Sequence, residues 1–182
     1  MNFLTAANSD SLDSESAAAG ETRREAYGEE PAYVWEALLG HLPSYRAYLT
    51  WFEVRDAVAP YIGDRAVALF SYAISEANDC LVWSAYFRRT LSESGENPDN
   101  PSVTEAEQLL IEWGRLIATN PASIDGDFYD RLEQAFSPTL RIALLAFAGL
   151  TVALNVVATV GRVQIDDSLV PFRKPGEGRS HL

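Results

Sequence analysis

The chain has 182 residues, of which 47% are hydrophobic, enough for one domain with a sizeable core. Acidic residues outnumber basic ones 26 to 14, for a formal net charge of -12. A surface of that sign repels nucleic acid phosphates and anionic bilayers, so neither nucleic acid nor membrane is expected as a partner.

Residues 1–29 are rich in Ser, Ala, Glu and Asp and carry few large apolar side chains. Such a segment buries too little to offset its ordering entropy, and a mobile acidic N-terminal arm is expected. It has no basic stretch followed by an apolar run, so it does not read as a secretory signal. The single cysteine, Cys80, rules out an intramolecular disulfide framework, and a reducing, cytoplasmic setting follows.

The body, residues 30–170, carries helical periodicity almost throughout. Pro31 suits a helix start, with Trp35, Leu38 and Leu39 on one face. From Pro43, Tyr45, Tyr48, Leu49 and Phe52 repeat at helical spacing. Gly63 and Asp64 separate that helix from one running from Arg65 to about Ala77. Asn78 and Asp79 interrupt, with Asp79 expected to cap a helix that Cys80 opens and that reaches Leu91. After the polar loop "SESGENPDNPS", Ser102 and Glu105 read as a capping box for the helix through Trp113 and Ile117. An Asp in "NPASIDGD" caps a short helix through Tyr129 and Phe136, and Ser137-Pro138 starts the last helix, ending near Gly161. "RVQIDDSL", 162–169, is the only weak candidate for extended chain. Residues 171–182, with two prolines and two glycines, read as a C-terminal arm, either unattached or laid across a neighbouring subunit. The expectation is all-α, a single domain of about seven helices.

The last helix is uncharged from Ile142 to Val160, long enough to cross a bilayer. Its many alanines, its Thr151, Asn155 and Thr159, and the lack of a Trp or Tyr belt point instead to the central helix of a bundle or an oligomer interface.

Chemistry-bearing residues are few. His41 and His181, far apart and with one cysteine, do not make a zinc site, and no metal or cofactor is expected. There is no G-x-S-x-G elbow, P-loop or G-x-G-x-x-G. Cys80 remains the one catalytic candidate. A first-turn position favours thiolate through the helix dipole, while the nearby acids Glu76 and Asp79 oppose it. The plainer alternative is a small buried apolar side chain in "CLVWSAYF".

Three stretches, "AYVWEALLGHLPSYRAYLTWFEVRDAV", "GDRAVALFSYAISEANDCLVWSAYF" and "LLIEWGRLIATNPASIDGDFYDRLEQAFSPTLRIALLAFAGLTVALNVV", occur in an order that resembles the alkylhydroperoxidase D-like and carboxymuconolactone decarboxylase superfamily, in its peroxidase-related branch. The resemblance covers most of 31–170 and implies that family's helical bundle and a homo-oligomer, from dimer to hexamer. It also implies a catalytic pattern in which a glutamate precedes a Cys-x-x-Cys pair by twelve residues and a histidine follows. In this chain the glutamate position is Ala68, the first cysteine is Cys80, the resolving position is Trp83 and the histidine position is Phe87. One group of four survives, so a dithiol cycle within one subunit is excluded. The expected outcome is a scaffold whose Ala68, Trp83 and Phe87 form an apolar, aromatic-walled pocket for a small apolar ligand or a partner. A one-cysteine peroxidase using Cys80 and a structural oligomer subunit are the alternatives.

Overall fold

The computed structural model describes residues 3–4, 12–28 and 31–174. Among them are eight α-helices and no strand: α1 (Ser14–Tyr27), α2 (Ala32–Leu39), α3 (Leu42–Ile62), α4 (Asp64–Ala77), α5 (Leu81–Glu93), α6 (Glu105–Thr119), α7 (Gly126–Ala135) and α8 (Pro138–Val160). The all-α expectation holds, with one helix more than the periodicity showed.

The extra helix is α1, inside the segment read as an arm. Asp13 caps it, its Oδ1 accepting from the Ser16 amide at 2.7 Å. Its apolar content is low, and it packs by closeness instead. A Cβ at Gly20 would stand 2.9 Å from Leu39 Cδ1 of α2. Tyr27 stacks on Phe52 of α3 with ring centroids 3.9 Å apart. Residues 1–2, 5–11 and 29 of the expected arm lie outside the described residues.

Helix α4 is the centre of the bundle. Every residue from Ala66 to Ser75 is buried, and α3, α5, α6 and α8 all pack against it. Gly114 lets α6 come close, since a Cβ there would meet Phe70 and Ile74 at 3.1 Å. Gly63, at φ +84, makes the turn between α3 and α4 and takes a left-handed backbone that side chains avoid.

Some caps are local and some are not. Asp125 caps α7 by accepting from the Phe128 amide at 2.8 Å, and Ser137 Oγ accepts from Leu140 at the start of α8. The capping box of α6 is Thr104 with Glu107, two residues beyond the expected Ser102 and Glu105. The shift has a cause: Arg65 Nη2 donates to the Ser102 carbonyl at 2.6 Å and keeps that residue outside the helix. Arg65 also holds Glu96 at 2.7 Å and pairs with Glu107. The amide of Ala32, at the start of α2, donates to Asp166 Oδ1 at 2.9 Å, a cap supplied from the far end of the domain.

Helix α8 is the one described helix long and apolar enough to cross a bilayer, yet one face of it is part of the core. Leu144, Phe147, Ala148, Thr151, Leu154 and Asn155 are all buried, and α3, α4 and α5 pack against the helix. Beyond it, 162–169 is not a strand. A short 3-10 turn, Asp167–Phe172, lies on α5 with Leu169 fully buried. Arg88 of α5 holds it: Nε donates to the Phe172 carbonyl at 3.0 Å, and the guanidinium also reaches Tyr72 Oη at 2.9 Å and Asp99 at 2.6 Å. Lys174 pairs with Glu76. The C-terminal segment through Lys174 therefore lies on its own α4 and α5, and 175–182 lie outside the described residues.

Arg65 and Arg88 make part of the fold's stability sensitive to acid. Hydrogen bonds from Arg65 hold the Glu96 carboxyl below its ordinary range, and those from Arg88 do the same for Asp99. Burial pushes Glu107 up, but Arg65 and the Thr104 amide and hydroxyl outweigh it and leave it lowered. A lowered folded-state pKa gives stability that is present above the unfolded value and lost as pH falls through the folded one. Melting temperature should thus be level from about pH 7 to 5 and fall below about pH 4. Arg65→Gln should lower the neutral-pH value and flatten that acid slope, as differential scanning fluorimetry across pH would show.

Candidate functional site

Helix α4 ends at Ala77, and the chain turns through Asn78 and Asp79 before α5. Asp79 has φ +51, a left-handed conformation that Asp tolerates better than most residues. The Asp79 amide donates to the Glu76 carbonyl at 3.1 Å, and the Cys80 amide to Ser75 at 3.0 Å, closing the end of α4. Cys80 is then the N-cap residue of α5, with no side-chain capping bond. This corrects the expectation that Asp79 caps the helix, because its backbone is committed to the turn. The Cys80 side chain is in the core, with only 1% of the residue exposed. Glu76, one of the two acids near it in sequence, is engaged elsewhere, with Lys174 and with Arg115 at 3.7 Å.

A buried polar brace fastens this turn to α8. Asn155 Oδ1 accepts from Ser75 Oγ at 3.2 Å, and its Nδ2 donates to Asn78 Oδ1 at 3.3 Å. Asn78 Nδ2 in turn donates to the Ala118 carbonyl of α6 at 3.1 Å. One turn earlier on α8, Thr151 Oγ1 accepts from Trp51 Nε1 at 2.9 Å and donates to the Phe147 carbonyl at the same distance.

Trp83 and Phe87, one turn apart on α5, stack with centroids 6.0 Å apart and planes at 26°. Trp51 of α3 lies 6.2 Å from Trp83 and 6.3 Å from Phe87. Trp35 of α2 meets Trp83 edge-on at 6.3 Å, and Phe147 of α8 lies 5.3 Å from Trp51. Ala68 of α4 belongs to the same buried cluster as Cys80, Trp83 and Phe87. The structure thus brings all four positions into one core, and rings from three other helices complete it. Trp35, Trp51 and Phe147 were not singled out from the sequence as site residues, since each reads there as one apolar position on an amphipathic face. Thr151 and Asn155 were visible as polar residues four apart in an apolar helix, a spacing that puts both on one face.

The chemistry open to this arrangement is narrow. Neither a carboxylate nor an imidazole occupies positions 68, 83 or 87 to move protons for the thiol. Among the described residues no three His, Cys, Asp or Glu side chains gather to hold a metal. His41, at the N-terminus of α3, is exposed and shares a hydrogen bond with Ser44 Oγ at 2.8 Å. A cleft of about 160 Å³ lies between α1 and α2, bordered by Arg23, Arg24, Trp35 and Glu36, and Cys80 is not among its walls.

No family model and no curated protein sequence matches the chain. Solved structures do. The debrominase Bmp8 in its apo form is 17% identical, with a TM-score of 0.77 over 93% of this chain and 95% of that one. A cysteine-to-alanine variant of Bmp8 in complex with 2,3,4-tribromopyrrole is 15% identical, with the same TM-score, over 93% and 94%. An uncharacterized peroxidase-related protein from Silicibacter sp. TM1040 is 15% identical, with a TM-score of 0.75, over 93% and 96%. These likenesses establish the fold, which is that of the alkylhydroperoxidase D-like proteins the sequence resembles.

Two outcomes follow from the packing. Cys80 should react slowly with Ellman's reagent in the native protein and stoichiometrically in guanidinium, because reagent reaches it only through opening of the core. Trp83 Nε1 is buried without a hydrogen-bond partner among the described residues, so its loss costs nothing. In denaturant melts Trp83→Ala should lower stability by about 3–5 kcal/mol, and Trp83→Phe, which keeps one ring and leaves a smaller cavity, should lower it by less.

Proposed function

We propose that this chain is an alkylhydroperoxidase D-like protein that has given up dithiol peroxidase chemistry. It works by binding, presenting the ring-walled region at Ala68, Trp83 and Phe87 to a small apolar ligand, or its helices to a second copy of itself, in the cytoplasm. The observation that carries this reading is Trp83. Where a dithiol enzyme of this fold needs a second thiol, an indole packs against Trp35, Trp51 and Phe87. A peroxide cycle also needs access for oxidant and reductant and a group to move protons. The burial of Cys80 and the apolar side chains of Ala68 and Phe87 weigh against both.

One observation favours a second reading, chemistry by Cys80 alone. Bmp8 is a debrominase of this fold, and its cysteine-to-alanine variant holds a flat halogenated ring. In a one-cysteine cycle, a hydroperoxide would convert the Cys80 thiol to a sulfenic acid and leave as the alcohol. Two equivalents of an external thiol would then restore it, releasing water and a disulfide.

A single assay separates the readings. Wild type and Cys80→Ser are supplied with dithiothreitol and either hydrogen peroxide, tert-butyl hydroperoxide or 2,3,4-tribromopyrrole, with peroxide loss and bromide release followed. No turnover above background is expected from either protein. Turnover that depends on Cys80 would overturn the binding reading. With no turnover, native mass spectrometry of the purified protein should show a co-purifying small apolar molecule. A clean ligand-free mass would leave the structural oligomer role.

A further inference from the structure

The outer face of α8 has no partner within the described chain. Ile142, Leu145, Val156 and Val160 are 72%, 54%, 51% and 67% exposed. Ala146 and Gly149, between them, are exposed too. The spacing of three and four places these residues on one stripe, opposite the buried Phe147, Thr151 and Asn155. No charge interrupts it from Ile142 to Val160.

We propose that this stripe is the surface on which a second copy of the chain packs, α8 against α8, antiparallel about a two-fold axis, with the helices crossing at Gly149. The proposal locates the self-association in the reading above and does not depend on the fate of Cys80.

Three observations select a second copy. The first is charge. Two chains of -12 repel each other overall, and the uncharged stripe is where they approach at least cost. The second is shape. Bulky side chains stand at both ends and small ones at the middle. A Cβ added at Gly149 would meet nothing within 4 Å of its own chain, so the glycine does not serve the interior and leaves room for a crossing helix. A two-fold about Gly149 sets Ile142 against Val156 and Leu145 against Ala153 of the other copy, so the stripe complements itself. The third is continuity. The Leu4 amide donates to the Gly161 carbonyl at 2.7 Å, which sets Phe3, 75% exposed, beside the same end of the helix and extends the apolar surface past it.

The test uses the full chain. Light scattering on the wild type should give an even multiple of the chain mass. Leu145→Glu, at an exposed position, should give half that mass or less with an unchanged circular dichroism spectrum. Because Cys80 is buried, one engineered cysteine reports the register. Gly149→Cys should form a covalent dimer on mild oxidation. Ile142→Cys alone should not, since two copies of residue 142 would lie about 21 Å apart, far beyond the roughly 4–7 Å between Cα atoms that a disulfide spans. An equimolar mixture of Ile142→Cys and Val156→Cys should cross-link. A wild-type monomer at tens of micromolar would overturn the proposal. So would an oligomer indifferent to Leu145→Glu that gives no Gly149→Cys cross-link. A monomer that floats with neutral phosphatidylcholine vesicles would assign the stripe to a lipid surface instead.

Discussion

Trp83 sits between Trp51 and Trp35, 6.2 and 6.3 Å away, and stacks on Phe87. That knot of rings joins four helices, because Phe147 of α8 lies 5.3 Å from Trp51. Offset and edge-on pairs at these separations add to what area burial alone supplies. Each indole is also large, and a core packed to crystal density has few alternative ways to hold it. The spacing of α2, α3, α5 and α8 is therefore set by these rings. The position that sets this spacing, Trp83, also carries an indole where a thiol would be needed for a dithiol pair with Cys80.

The polar groups of the core complement the rings. An apolar interior can slide, whereas a hydrogen bond between buried groups has one register. Thr151 fixes the indole of Trp51, and Asn155 ties Ser75 to Asn78 across the α4–α5 turn. On the other side of α5, Arg88 binds Tyr72, Asp99 and the Phe172 carbonyl together. A guanidinium suits that task, since its planar fork keeps several acceptors at once and stays charged at any relevant pH. Helix α5 is thus held by its polar neighbours at both ends and by rings along its length, and its position does not rely on any catalytic group.

How much of this was legible in the sequence depended on how local each cause was. Helical class and the starts of α7 and α8 follow from neighbours within a few residues, and they read correctly, whereas the central place open to the last helix belongs to α4. The box at Thr104 was misplaced because its competitor, Arg65, comes from another helix. The α2 cap was invisible because Asp166 stands 134 residues away. Helix α1 escaped because it packs through Gly20 and Tyr27 rather than through a broad apolar face. At the site, the absence of Glu, Cys and His from positions 68, 83 and 87 was plain from the letters. What filled the space was not, because the positions that do so are ordinary amphipathic ones until the fold brings them together.

All four tryptophans, Trp35, Trp51, Trp83 and Trp113, are buried. Three of them form the knot, and Trp113 stacks on Phe70 of the central helix. The molecule therefore carries its indoles only in its interior, and the long-wavelength part of its emission comes from there. Its ultraviolet emission reports the state of the interior and is almost blind to the surface. An event that leaves this core intact, such as pairing on an outer face, passes unseen by that light, and one that reaches or loosens the core is seen at once.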